Sequence, residues 1–175
     1  MSKYEESLSI RRALADESGT AESRCDVSDS LENVARIEEA QGAFDCALAK
    51  YEESLEIHRL LLDPEQAHET VLDAADSVNV FVWTSCLVAR CALRLGRPSF
   101  ALDRLVASEG FLAPLAHPEL VDEDLLDTAA TWHEQRSAVA LAQGDPATAR
   151  RHENIASAIR TRIQRLQDEE DGDAS

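Results

Sequence analysis

From Gly42 onward, apolar side chains recur at three- and four-residue steps: Phe44, Ala47, Leu48, Tyr51, Leu55 and Leu62. With 3.6 residues per turn these positions make one stripe, which predicts an amphipathic helix over roughly 43–62. Val27, Leu31, Val34 and Ala35 repeat the pattern upstream and predict a helix over 21–41. Only Gln41-Gly42-Ala43 separates the two, a connection so short that the helices must be antiparallel neighbours. The same unit returns twice. Leu87 to Leu95 runs through Gly96 into Arg97-Pro98-Ser99-Phe100, and Ser137 to Gln143 runs through Gly144 into Asp145-Pro146-Ala147. Pro98 suits a first helical turn, and Asp145 suits an N-cap. Five residues after each glycine stands an alanine, Ala47, Ala101 or Ala149, small enough to let the second helix lie close against the first. The pattern predicts an all-α chain with helices over 3–17, 21–41, 43–62, 65–95, 97–109, 119–143 and 146–167.

One of these helices occurs twice almost verbatim. Lys3-Tyr-Glu-Glu-Ser-Leu-Ser-Ile-Arg-Arg12 comes back as Lys50-Tyr-Glu-Glu-Ser-Leu-Glu-Ile-His-Arg59, identical at eight of ten positions. A helical segment repeated at a fixed period is the mark of a solenoid, whose stacked pairs form a surface for holding a partner. The first copy has no first helix before it. Its Tyr4–Leu8 side is therefore expected to be uncovered, an N-terminal edge open to a second copy of the chain or to another partner.

Composition narrows the picture. Six glycines punctuate a chain rich in helix-forming residues; Gly19, Gly42, Gly96, Gly110 and Gly144 each follow a helical run, where a left-handed residue closes the helix. Residues 1–167 are expected to form one domain: a lone second helix over 3–17, then repeats over about 21–62, 65–109 and 119–167. The stretch from Gly110 to Pro118 is expected to be irregular, and 168–175 to be a disordered acidic tail. A net charge of −17 opposes nucleic acid and anionic membranes and mildly favours a basic partner surface. The start lacks an apolar signal core, and the uncharged run from Ser77 to Ala89 is too short to span a bilayer. Cys25, Cys46, Cys86 and Cys91 have no zinc-type spacing and are expected to be reduced in a cytoplasmic protein.

The helix pairs resemble tetratricopeptide repeats of the long bacterial type. Leu31, Asn33-Val34-Ala35, Gly42, Ala47, Tyr51, Ser54 and Leu55 stand where that family carries its bulky residue, its Asn-Leu-Gly-like step, its turn glycine and its small and aromatic positions. The likeness covers 21–62 well, 81–109 moderately and 131–159 weakly, where Arg136 and Glu153 replace apolar and aromatic residues. It implies a right-handed superhelix of antiparallel helices whose first helices line a concave groove. By that resemblance the groove residues are Asp29, Glu32, Asn33, Arg36 and Glu39; Trp83, Cys86, Leu87, Arg90 and Arg94; and Thr131, Glu134, Gln135 and Ala138. Asn33 would hold an extended peptide backbone, Arg36 and Arg90 would meet a carboxylate, and Trp83 would be an aromatic anchor. Arg36 has a plainer alternative in pairing with Glu32 one turn back, and Trp83 in core burial. The family's clamp for C-terminal carboxylates has basic residues where this chain has Glu32 and Cys86, so a chaperone-tail role is not expected.

Catalytic chemistry is hard to find. His58, His68, His117, His133 and His152 are scattered, and His133-Glu134 begins a zinc-protease motif that no second histidine completes. With two lysines and no glycine-rich loop there is no phosphate cradle. Arg150, Arg151, Arg160, Arg162 and Arg165 gather on the last helix beside the stripe Ala156, Ile159, Ile163 and Leu166, which suits either a docking helix or a capping one. The expected function is non-catalytic, without metal or cofactor: an adaptor or scaffold that binds a protein or peptide. The alternatives are a dedicated chaperone for a secreted or partner protein and the terminal fragment of a larger repeat array.

Overall fold

The computed structural model describes residues 3–62, 74–115 and 122–173. They are helical almost throughout: α1 (Lys3–Ser18), α2 (Ala21–Ala40), α3 (Phe44–Leu61), α4 (Ala74–Arg94), α5 (Pro98–Ser108), a 3-10 turn (Glu109–Phe111), the single turn α6 (Leu112–Leu115), α7 (Glu123–Ala142) and α8 (Pro146–Asp173). Among the described residues there is no strand, and the fold is all-α. The expected starts at 65 and 119 fall outside the described residues, as do His68 and His117.

The three turn glycines do the same work. Gly42, Gly96 and Gly144 hold φ of 77, 68 and 78°, in the left-handed region where a side chain is disfavoured. Each is followed by a residue whose amide reaches back to close the helix: Ala43 to Glu38, Arg97 to Ala92 and Asp145 to Ala140, all at 2.8–2.9 Å. The second helices then begin at once, with Pro98 in the first turn of α5 and the Thr148 amide donating to Asp145 Oδ1 at 3.1 Å ahead of α8. Ala47, Ala101 and Ala149 are all buried where the paired helices close on each other. Gly110 departs from expectation. It sits inside the 3-10 turn without a positive φ, and no left-handed residue closes α5.

Packing follows chain order: α2 lies between α1 and α3, α4 packs on α3 and α5, and α7 packs on α4, α5 and α8. The large apolar cluster runs from Ala35 and Tyr51 through Phe81, Val88 and Leu105 to Trp132 and Val139. A smaller cluster joins Leu8 of α1 to Val27, Leu31 and Val34 of α2. Leu8 therefore does not belong to an open edge. It is 5% exposed, and the uncovered apolar residues of α1 are Tyr4, Ile10 and Leu14. The far end also differs from expectation, since α8 continues through 168–173 instead of giving way to a disordered tail. That stretch has no proline, Glu169 and Glu170 favour a helix, and Gln164 Nε2 donates to Asp168 Oδ1 one turn on.

Candidate functional site

The residues with the most chemistry lie at the junctions between helix pairs. The first junction is the groove of α2 and α3 in which α4 rests. At its centre Glu32 Oε1 accepts hydrogen bonds from Thr84 of α4 at 2.7 Å and Ser54 of α3 at 3.1 Å, with His58 Nε2 at 3.7 Å. Ser28 bonds both Ser54 and His58 Nε2 at 2.7 Å. Burial pushes the Glu32 carboxyl up, but the neighbouring His58 and the hydrogen bonds from Thr84 and Ser54 outweigh it and hold the group below the usual carboxylate value. Two turns further on, Glu39 takes Arg90 of α4 in a two-pronged bond at 2.8 and 2.7 Å and accepts the Tyr51 hydroxyl at 3.2 Å. Burial and then the Glu39 carboxylate raise the Tyr51 phenol, so it stays protonated and donates.

A serine, a histidine and a glutamate in contact invite a comparison with nucleophilic catalysis. The geometry differs from that relay, in which the serine and the acid engage opposite ring nitrogens. Here Ser28 and Glu32 both address Nε2, and Ser28 is fully buried. The cluster links three helices and sets their register.

The second junction is the groove of α4 and α5, in which α7 rests. Trp132 is fully buried there, and its indole N–H donates to Ser108 Oγ at 3.0 Å and to the Leu105 carbonyl at 3.3 Å. Between the pairs, Arg104 bonds Glu52 at 2.9 Å and Arg97 bonds Asp45 at 3.3 Å, tying α5 to α3.

The residues expected along a groove divide into two sets. Asn33, Arg36 and Arg94 are exposed on the first helices α2 and α4. Gln135 of α7 is partly exposed at the position equivalent to Asn33, and Glu134 is exposed beside it. Arg36 lies 4.0 Å from Glu32, the one-turn pairing weighed above. Others are withdrawn into the junctions. Cys86 and Leu87 are 2% exposed, because α4 is covered from both sides in the middle of the stack. Glu32 and Glu39 are consumed by the α4 contacts, and Arg90, expected to await a carboxylate, already has one in Glu39. Trp83 is partly buried against the core. Glu134 binds Arg160 Nε at 3.1 Å, and Arg160 also engages Asp127 and Thr131. Tyr4 is 54% exposed at the end of α1.

One pairing escaped the sequence. His133 and His152, far apart in sequence, meet across α7 and α8 with their Nδ1 atoms 2.8 Å apart, so one donates to the other. Burial first, then His152 and the cations Arg136 and Arg151, lower His133 to about 4. Burial, Arg136 and Arg151 lower His152 as well. The signal was the turn itself: antiparallel helices bring together positions roughly equidistant from Gly144. Among the described residues no three His, Cys, Asp or Glu side chains converge to hold a metal ion. Cys86 and Cys91 are buried, Cys25 is half-buried and Cys46 exposed, all free thiols. No helix of the described residues is long and apolar enough to cross a membrane. No protein-family model matches the chain, and a comparison with curated proteins finds no match.

Proposed function

We propose that this chain is a non-catalytic scaffold, a cytoplasmic tetratricopeptide-like repeat protein that binds a protein or peptide along its first helices. The observation that supports the reading is the division of polar residues. The groups with catalytic potential, Ser28, His58 and Glu32, are locked into helix junctions, while Asn33, Arg36, Arg94 and Gln135 remain accessible on successive first helices. Polar side chains presented by rigid stacked helices suit docking of an extended or helical segment. Affinity capture from the source cell with the wild-type chain and an Arg36→Glu/Arg94→Glu double variant tests it. Loss of one defined protein from the variant sample is the expected result, and an identical set of captured proteins would overturn the assignment to this face.

A second reading rests on α1. Tyr4, Ile10 and Leu14 are each more than half exposed along one helix, an arrangement suited to pairing with a second copy.

A further inference from the structure

Aligning the three helix pairs on Gly42, Gly96 and Gly144 makes each junction a version of the same seat. Glu32, Cys86 and Glu134 are equivalent, as are Tyr51, Leu105 and Glu153, and Ser54, Ser108 and Ala156. The helices that enter the first two seats are equivalent too, since Thr84 of α4 and Trp132 of α7 stand at the same distance before their turn glycines. Both make the central contact, Thr84 to Glu32 and Trp132 to Ser108.

Among the described residues no helix enters the third seat, formed by α7 and α8. It is a groove of about 420 Å³ lined by Glu134, Ser137, Leu141, Glu153, Ala156 and Arg160, with Ser157 at its rim. These are the counterparts of Glu32, Ala35, Glu39, Tyr51, Ser54 and His58, the residues that receive α4. Burial measures the difference. The Glu134 side chain is 46% exposed against 14% for Glu32, and Leu141 is 62% exposed. The internal contacts are nevertheless already made, because Arg160 reaches Glu134 as His58 reaches Glu32. The seat is pre-formed.

We infer that the α7–α8 seat receives a basic amphipathic helix from another protein. This deepens the scaffold reading and rests on it. A helix is the occupant because each of the two equivalent seats holds one. The partner is a different protein because α2, α4 and α7, the first helices of the pairs, are each already engaged in their own stack, and α1, whose apolar side is open, carries more acidic than basic residues. It is basic because Glu134 and Glu153 rim the groove, because Arg160 is neutralised by Asp127 and Glu134, and because the chain carries −17 overall. Its apolar stripe meets Leu141 and Ala156, as the stripe of α4 meets Tyr51 and Leu55.

The probe is a fluorescent peptide that keeps Phe81, Thr84 and Val88, which share the side of α4 that bonds Glu32, at their spacing and carries lysine on its outer positions. Controls are a scrambled peptide and one with glutamate in place of lysine. The full chain is expected to bind the lysine peptide in the micromolar range, with amide shift changes confined to α7 and α8. Leu141→Glu and Glu153→Lys alter exposed positions and leave the helical circular dichroism unchanged. Each is expected to weaken binding by about tenfold or more. Equal binding of the scrambled or glutamate peptide, or no effect of either variant, overturns the inference. So does a wild-type dimer in sedimentation that Leu141→Glu abolishes, which would assign the seat to a second copy. If the peptide fails while capture still depends on Arg36 and Arg94, the seat inference falls and the scaffold reading stands.

Discussion

The segments starting at Lys3 and Lys50 share nearly all their residues and have opposite surroundings. In α3, Tyr51 and Ser54 are fully buried and Leu61 is 3% exposed; in α1 the matching Tyr4 and Leu14 are 54% and 55% exposed, and Ser7 is exposed too. Only one side of the helix keeps its environment, for Leu8 and Leu55 are both buried, each against the helix that follows. What α1 lacks is what α2 provides to α3: Ser28 for Ser54 and Glu39 for the Tyr51 hydroxyl. A repeat unit's side chains thus carry a demand for a neighbour, and the neighbour decides whether they become core or surface.

The sharpest way to break this comparison is to truncate both tyrosines. Tyr51→Ala removes a buried ring and its hydrogen bond and is expected to cost about 3–5 kcal/mol. Tyr4→Ala is expected to fall within about 0.5 kcal/mol. Urea unfolding of the two variants measures both. Similar losses would mean that Tyr4 is covered in solution.

A smaller effect is expected at Glu32, whose counterpart in the third pair, Glu134, is far more exposed. Glu32→Gln should destabilise by about 1–3 kcal/mol at neutral pH, since it disturbs a buried network of hydrogen bonds. It should also change the acid limb. The folded carboxyl titrates below its ordinary value of 4.5, so its contribution is present above pH 4.5 and is lost as pH falls through the lower folded value. The wild type should lose stability more steeply than Glu32→Gln over that window. Parallel acid limbs, read by circular dichroism melts across the range, would remove Glu32 from the account.

The smallest stability change belongs to Leu14→Glu on the open side of α1, expected within about 0.5 kcal/mol. Its effect should appear in association. If a second copy covers α1, sedimentation of the wild type shows a concentration-dependent dimer that this variant lacks. A strict monomer at high micromolar concentration would end that reading.

The helices, their turns and their pairing were legible in advance because they depend on local rules. Stripe spacing, a left-handed glycine and a proline or aspartate after it act over a few residues, and Ala47, Ala101 and Ala149 meant close approach wherever they occurred. Of the residues expected along a groove, Asn33, Arg36 and Arg94 are exposed. Cys86 and Leu87 are buried because a first helix in the middle of a stack is covered on faces that stay open at its ends, and Arg90 is paired with Glu39. Within the expected acidic tail of 168–175, charge alone predicted disorder, whereas α8 runs on to Asp173.

The sequence alone determined an all-helical chain built from one recurring helix pair, since periodicity and turn chemistry are written in neighbouring residues. It could not say which copies of the pair would be satisfied. That was decided by stacking, which buries Tyr51 and leaves Tyr4 in water, fills the seat at Glu32 and leaves the one at Glu134 open. The reason is physical: amphipathicity fixes which side of a helix seeks cover, and burial depends on whether another element arrives to provide it.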